Sequence, residues 1–564
     1  MCSKKMKKSK SLLGINYIFK GFFLLSVLFF GYVFAGCNAT TTGNWNDGTK
    51  WSGCSGGDGT PTAADDVTIN SGVVMTVTTD ASVNSVTVAE NASAGSANGI
   101  NINSGITLAV TGDIAMTAPT ALTSTIAVGA GNLSAVNITI PGSATSTRYA
   151  TVSVSTGIIT LTGSVTFSGT VAQARFIFTD TGRLNIGGNF GIGGTLTTTS
   201  HGTMNFNGSV AQTIGTYATY NNIEINNTSG GVSFITTATF LGTLTITTGT
   251  LTFNASAITI TGATTVASGA TVAFGGTGAK TFIGLVTIDN GGIWIENAAV
   301  APAFRNGITN NGTFTASTGV HTFNTNAQAL NGNAFSIPSI TITGVVLTSN
   351  FDLTVNTALI GTGGLTMASN TTLDLGGTFT VTTPVVNGTG VVVNYRGTAA
   401  QTIKSTTYIT LKINNTAATG ASLTTGGATV TTLTIGDVAS TARFQDAGFV
   451  LTLAGSSVLN LTQGTYDLGS ATVGTSFPSF GTINIGSNTT IEYGAAVPQA
   501  IDTSLSYANL LITGVVAKSV TGNLTLTGNL TVTGGSGVSL DLGSYTHSIA
   551  GNIVVTTALG ILYG

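Results

Sequence analysis

The side chains able to do chemistry are few in this chain and lie far apart. Its 564 residues hold 17 basic and 19 acidic side chains and three histidines. The only adjacent acidic pair is Asp65-Asp66. The acids Asp180, Glu224, Asp289, Glu296, Asp352 and Asp374 are scattered, and for Asp289 and Glu296, the closest two, Lys280 is the basic residue read as a nearby partner. Glycoside hydrolysis needs two carboxylates flanking one bond, and lyase chemistry needs a base beside cation-binding acids. These intervals offer neither. His201, His321 and His547 stand alone in the sequence, and a lone histidine is more often structural than catalytic. No Gly-x-Ser-x-Gly elbow has triad partners at usable positions. The glycine-rich pieces Gly56-Gly57-Asp58-Gly59 and Gly534-Gly535-Ser536-Gly537 look like fragments of a calcium-binding nonapeptide, but neither repeats in tandem. The expectation is a chain without catalysis, cofactor or bound metal.

Such spacing matters only relative to the elements that carry it, and these are strands. Charged residues make up 6% and hydrophobic ones 42%, with 77 glycines and 8 prolines. Nucleic-acid binders carry clustered Lys and Arg, and helical bundles are built from Glu, Lys, Ala and Leu. This chain is Gly, Thr, Ser, Asn and Val. Runs such as Leu244-Thr245-Ile246, Leu251-Thr252-Phe253, Ile258-Thr259-Ile260 and Val272-Ala273-Phe274 alternate with period two. That period places one face in a core and a Thr/Ser face in water. Gly and Asn between the runs supply turns. The fold class is therefore all-β.

A longer repeat overlies this texture. Phe167 precedes Gln173, Phe206 precedes Gln212, Tyr395 precedes Gln401 and Tyr493 precedes Gln499, each by six residues. Phe323 and Gln328 form a copy one residue shorter, and Lys280 takes the Gln place after Phe274. Aliphatic strands follow, including Ile223-Glu-Ile-Asn-Asn227 and Leu411-Lys-Ile-Asn-Asn415. Successive copies are 39, 68, 48, 73 and 98 residues apart. A tandem array of β-sandwiches, the alternative fold, would repeat at a near-constant domain length. A solenoid can add or omit a coil anywhere, since each coil contacts only its neighbours. Unequal separations therefore predict a right-handed parallel β-helix of roughly 22–26 coils. In that fold the shared Gln bridges turn backbone and the aromatic fills the core. A repeated sugar-binding platform of aromatic plus amide is the functional alternative.

The ends of the chain speak to location. Lys4, Lys5, Lys7, Lys8, Lys10 and Lys20 precede an uncharged apolar run from Gly21 to Gly36. This describes a signal peptide over residues 1–35, cleaved after Ala35. Its removal leaves 11 basic against 19 acidic side chains, a net charge of −8. Cys37 and Cys54 are then the only cysteines, and in an oxidising compartment they read as a disulfide. Lipidation of Cys37 is the alternative, because Phe34-Ala35-Gly36-Cys37 resembles a lipobox. Residues 36–80 are read as an N-terminal cap with the first coils. Residues 81–564 are read as the repeat region, truncated or not at its C-terminus.

The N-terminal segment also carries a resemblance. Cys37, Gly43-Asn44-Trp45, Trp51 and Cys54, followed by Pro61, Asp65-Asp66-Val67-Thr68-Ile69 and Gly72, resemble the opening of large secreted β-helix proteins of bacterial cell surfaces. The G8 domain begins with a similar Trp, Pro and Asp-Val-x-Ile pattern. The later aromatic–Gln units look like repeats of adhesin-like proteins. The resemblance implies a rigid extracellular rod, with Trp45, Trp51 and the cysteine pair capping the first coil and Asp65-Asp66 at a strand-entry turn. It also implies a surface glycan or another cell-surface protein as partner. No nucleic acid is expected, and membrane contact only through the signal segment or a lipid at Cys37. Two alternatives are a polysaccharide-active β-helix enzyme and an ice-binding solenoid. The latter rests on outward threonines such as Thr245, Thr259, Thr341, Thr525 and Thr531, although the irregular motif spacing argues against a long flat ladder.

Overall fold

Each apolar–Thr–apolar triplet forms a short strand with its aliphatic residues buried and its Thr turned outward, as at Ile258–Ile260. In this computed structural model the strands stack as a β-solenoid of about 22 turns, with 1% helix. The structure describes residues 36–90, 99–198, 201–214, 217–254, 256–297, 299–556 and the strand Ile561–Tyr563. The segment read as a signal peptide, residues 1–35, lies outside the described residues. No helix among the described residues is long and apolar enough to cross a membrane.

Three strands make one coil through the middle of the rod, for example Leu244–Thr248, Thr250–Phe253 and Ile258–Ile260. Each pairs in parallel with its counterpart in the next coil, Leu251 with Val272 and Ile258 with Lys280. A sandwich array would pair strands within one domain, so continuous parallel stacking excludes it. One 15-stranded sheet forms a spine from Ala81–Val83 to Thr383–Val385. The other faces change sheets along the rod.

The core is continuous from Cys37 to Leu542. An aromatic file runs through it: Phe234, Phe253, Phe274, Trp294, Phe314, Phe335 and Phe351, with successive ring centroids 4.4–5.7 Å apart. Burying such side chains stabilises by about 1.5–3 kcal/mol each. The corners demand glycine where coils touch. At Gly249, φ is +80° and a Cβ would stand 2.0 Å from the Asn227 carbonyl oxygen.

The N-terminal end departs from this rule. Strand Gly36–Ala39 pairs in parallel with Asp66–Ile69, and antiparallel with Trp51–Ser52 on its other edge. That reversed strand covers an edge that would otherwise present unpaired backbone groups.

Candidate functional site

The cap is built from the residues expected of it. Cys37 and Cys54 form a disulfide. A sulfur cannot hold a disulfide and a thioether together, so this geometry favours the disulfide over lipidation at Cys37. Trp45 and Trp51 are buried edge to face, with centroids 4.9 Å apart, and the Trp51 Nε1–H donates to the Trp45 carbonyl at 2.8 Å. Asp65 and Asp66 do not converge. Asp65 is fully buried and accepts from the N–H groups of Ser55 and Thr62. Burial pushes its carboxyl up, but those N–H groups outweigh it and hold the pKa below the ordinary value. Asp66 accepts from Asn84 Nδ2 and Ser85 Oγ in the next coil.

The shared glutamines are corner clamps. Gln212 is buried; its Oε1 accepts from Gly208 N–H and its Nε2 donates to the Ile186 and Gly188 carbonyls of the coil below. Gln401 repeats this with Gly397, Leu375 and Gly377. Gln499 does so with Ala495, Leu468 and Thr475. Gln328 bridges Gly307, Phe304 and Asn324. Phe206, Tyr395 and Tyr493 are fully buried beside these corners. The Asn-Asn ending of the following strand belongs to the same device. Asn227 and Asn415 each donate to the Gln oxygen and to the carbonyl two residues before it. Sequence reading passed over that role.

Two copies differ from expectation. Gln173 lies in a short 3₁₀ turn, Val171–Gln173, and its Oε1 is buried without a partner, so it does not clamp as the others do. Lys280 reaches carbonyls of Asn254, Ser256 and Gly278 instead of bridging as an amide. The copies also occupy different faces: Gln212 starts a strand paired to Val232, Lys280 pairs with Pro302 and Gln328 with Leu347. The clamp needs only a turn and the coil beneath it, so any corner can host one. Unequal motif separations reflect this freedom. The coils themselves are regular, and the column Thr219, Thr239, Thr259, Thr281, Ala303, Thr322, Thr341 advances by 19–22 residues per step. The Thr file is therefore longer than motif spacing suggested.

The acids are likewise less solitary than they read. Arg183 pairs with Glu224 at 2.7 Å. His321 and Glu296, read as a lone histidine and an acid without a basic neighbour, are a fully buried pair with Nε2 2.8 Å from Oε2. Glu296 also accepts from Trp294 Nε1 and Ser317 N–H. His321 Nδ1 lies 3.1 Å from the Gly319 carbonyl. Buried this completely, the pair serves the core. His547 is held between Leu524 N–H and the Leu542 carbonyl.

One cluster faces outward, and sequence reading missed it. Asp467 and Glu492 are register partners on adjacent coils, and one Arg443 Nη2 donates to both carboxylates at 2.7 Å. Gln445 Nε2 donates to the same Asp467 Oδ2 at 2.8 Å, and Thr513 donates to Glu492 Oε1. Burial and the Glu492 charge push the Asp467 carboxyl up to about 6, against the pull of Arg443. The available signal was two apolar–acid–apolar strands, Tyr466-Asp467-Leu468 and Ile491-Glu492-Tyr493, one coil apart.

The coil end beside this cluster is open. A depression of about 270 Å³ is lined by Gln445, Asp467, Ser470, Ala471, Glu492 and Gly494. A second, about 450 Å³, is lined by Phe449, Val450, Val473, Phe477 and Pro478, with Asp446 at its edge. Val450 and Val473 are 72% and 45% exposed. Between them lie Ala447 and Gly448, both with left-handed φ of 54° and 83°. A non-glycine residue held there costs roughly 1–3 kcal/mol, and such strain clusters at functional sites. Asp446 accepts from Gly448 and Gly469 N–H groups and from Thr475, yet burial keeps its carboxyl raised. The arrangement offers hydrogen-bond acceptors beside an apolar wall. Compared with protein-family models, curated proteins and solved structures, the chain matches none.

Proposed function

We propose that the chain is a non-catalytic, adhesin-like or structural rod, exported by its N-terminal segment and placed outside or on a bacterial cell. The observation that supports this most is how it uses its few ionisable groups. Arg183 with Glu224, Lys412 with Asp437 and His321 with Glu296 each tie one coil to another. What remains on the walls is mostly hydroxyl and amide. The cap at Trp45 and Trp51 fits the resemblance of the N-terminal segment to secreted β-helix proteins and, more distantly, to the G8 domain. A surface glycan or a cell-surface protein is the proposed partner.

Intact mass of the exported protein, with protease accessibility on whole cells, tests location. Release of a species beginning at Gly36 and digestion on intact cells are expected; retention inside the cell would sink the reading. A second reading is favoured by one observation. Asp467 and Glu492 stand on neighbouring coils with the first carboxyl near 6, a combination suited to a polysaccharide-active enzyme. New reducing ends or unsaturated uronate from a polysaccharide panel would replace the non-catalytic proposal with that one.

A further inference from the structure

We propose that the depression floored by Asp467 and Glu492 is a subsite for an uncharged, hydroxyl-bearing sugar, with the adjoining apolar depression taking the C–H face of the same glycan. This rests on the reading of the rod as a glycan-binding element and names its site and ligand class.

The Asp467 side chain is nine-tenths buried, with Oδ2 committed to Arg443 and Gln445. Its Oδ1 is buried with no hydrogen-bond partner. A buried acceptor left unmade costs about 1–3 kcal/mol, so this oxygen calls for a donor. It points toward Gly494, where a Cβ would stand 2.7 Å from it. Gly494 lines the same depression and carries no side chain to cover that oxygen.

Charge and donor pattern select the ligand class. Two carboxylates face one guanidinium, which disfavours uronates, sulfates and phosphates. Ser470 Oγ already accepts from the Thr472 and Val473 N–H groups, leaving its own proton to donate outward. A ligand in this depression is therefore offered an acceptor at Asp467 and a donor at Ser470. A hydroxyl can use both, an ammonium cannot accept, and a carboxylate cannot donate. The neighbouring wall of Phe449, Val450, Val473, Phe477 and Pro478 suits the apolar face that every pyranose ring presents.

The test is calorimetric titration of the full exported chain with gluco-, manno- and xylo-hexasaccharides and with hexagalacturonate. At least one neutral series should bind and the uronate should not. Ala471→Trp, at an exposed position on the rim, should abolish binding without disturbing the fold, and Asp467→Asn should weaken it about tenfold. Wild-type affinity in both variants, or equal binding of hexagalacturonate, overturns the subsite but leaves a glycan-binding rod. If the wild-type chain binds no oligosaccharide yet still adheres to cells, the glycan reading falls as well.

Discussion

Two stretches of the same rod solve different problems. From Leu244 to Phe323 the coils are nearly uniform and the outward columns are threonine. The ionisable groups Lys280, Glu296 and His321 are turned inward. From Ala428 to Ile512 the strands lengthen, to 18 residues at Leu451–Leu468 and 12 at Thr482–Tyr493. Pairing slips between Val430 and Thr432 and again between Leu461 and Gln463. Here Arg443, Gln445, Asp467 and Glu492 sit on the wall. In the uniform stretch the coils advance by 19–22 residues and stack in register. Both depressions are lined by residues of this irregular stretch.

The largest expected effect strikes the uniform stretch. His321→Ala empties a fully buried side-chain site and leaves Glu296 with only Trp294 and Ser317 as donors, and should cost about 3 kcal/mol. Hydrogen exchange should show lost protection centred on Trp294–Phe323, with the coils after Ala428 spared. Uniform loss along the rod would mean that the two stretches are not separate cooperative units, and the contrast would fail.

Next is pH in the irregular stretch. The folded carboxyl of Asp467 is raised from 3.8 to about 6, so the folded state binds the proton more tightly than the unfolded chain. Its contribution to stability is full below about pH 4 and is lost as pH rises through 6, a change of about 2–3 kcal/mol. Thermal melts from pH 4 to 7 should show this decline, and Asp467→Asn should flatten it. A profile that rises over the same window would reverse the sign and refute the assignment.

A smaller effect tests the glutamine clamps between the two stretches. Gln401→Ala strips bonds from Gly397, Leu375, Gly377 and Asn415 and should cost about 2 kcal/mol. Gln173→Ala, which removes no such bridge, should stay within about 0.5 kcal/mol. Equal melting shifts for the two would show that the clamp geometry contributes little.

Much of the architecture was legible because it is local. Alternation in Ile258-Thr259-Ile260 decides which residue is buried whatever the strand pairs with. The Cys37–Cys54 disulfide and the glutamine corners were equally readable, since each depends on a short segment. The site was not. Asp467 and Glu492 are 25 residues apart, and nothing local distinguishes that interval from the one between Asp352 and Asp374. The buried partner of His321, Glu296, was missed for the same reason.

The sequence by itself determined a stacked, sparsely charged β-wall with a disulfide at its first coil, because strand period, turn residues and cysteine count act within a few residues. Tertiary structure decided which coils stack in register and which slip, and therefore which distant acids meet. Coil length varies from corner to corner, and a slip of one residue turns a side chain from wall to core. Local alternation turns Asp467 and Glu492 to the wall, and the register between their two adjacent coils sets them side by side.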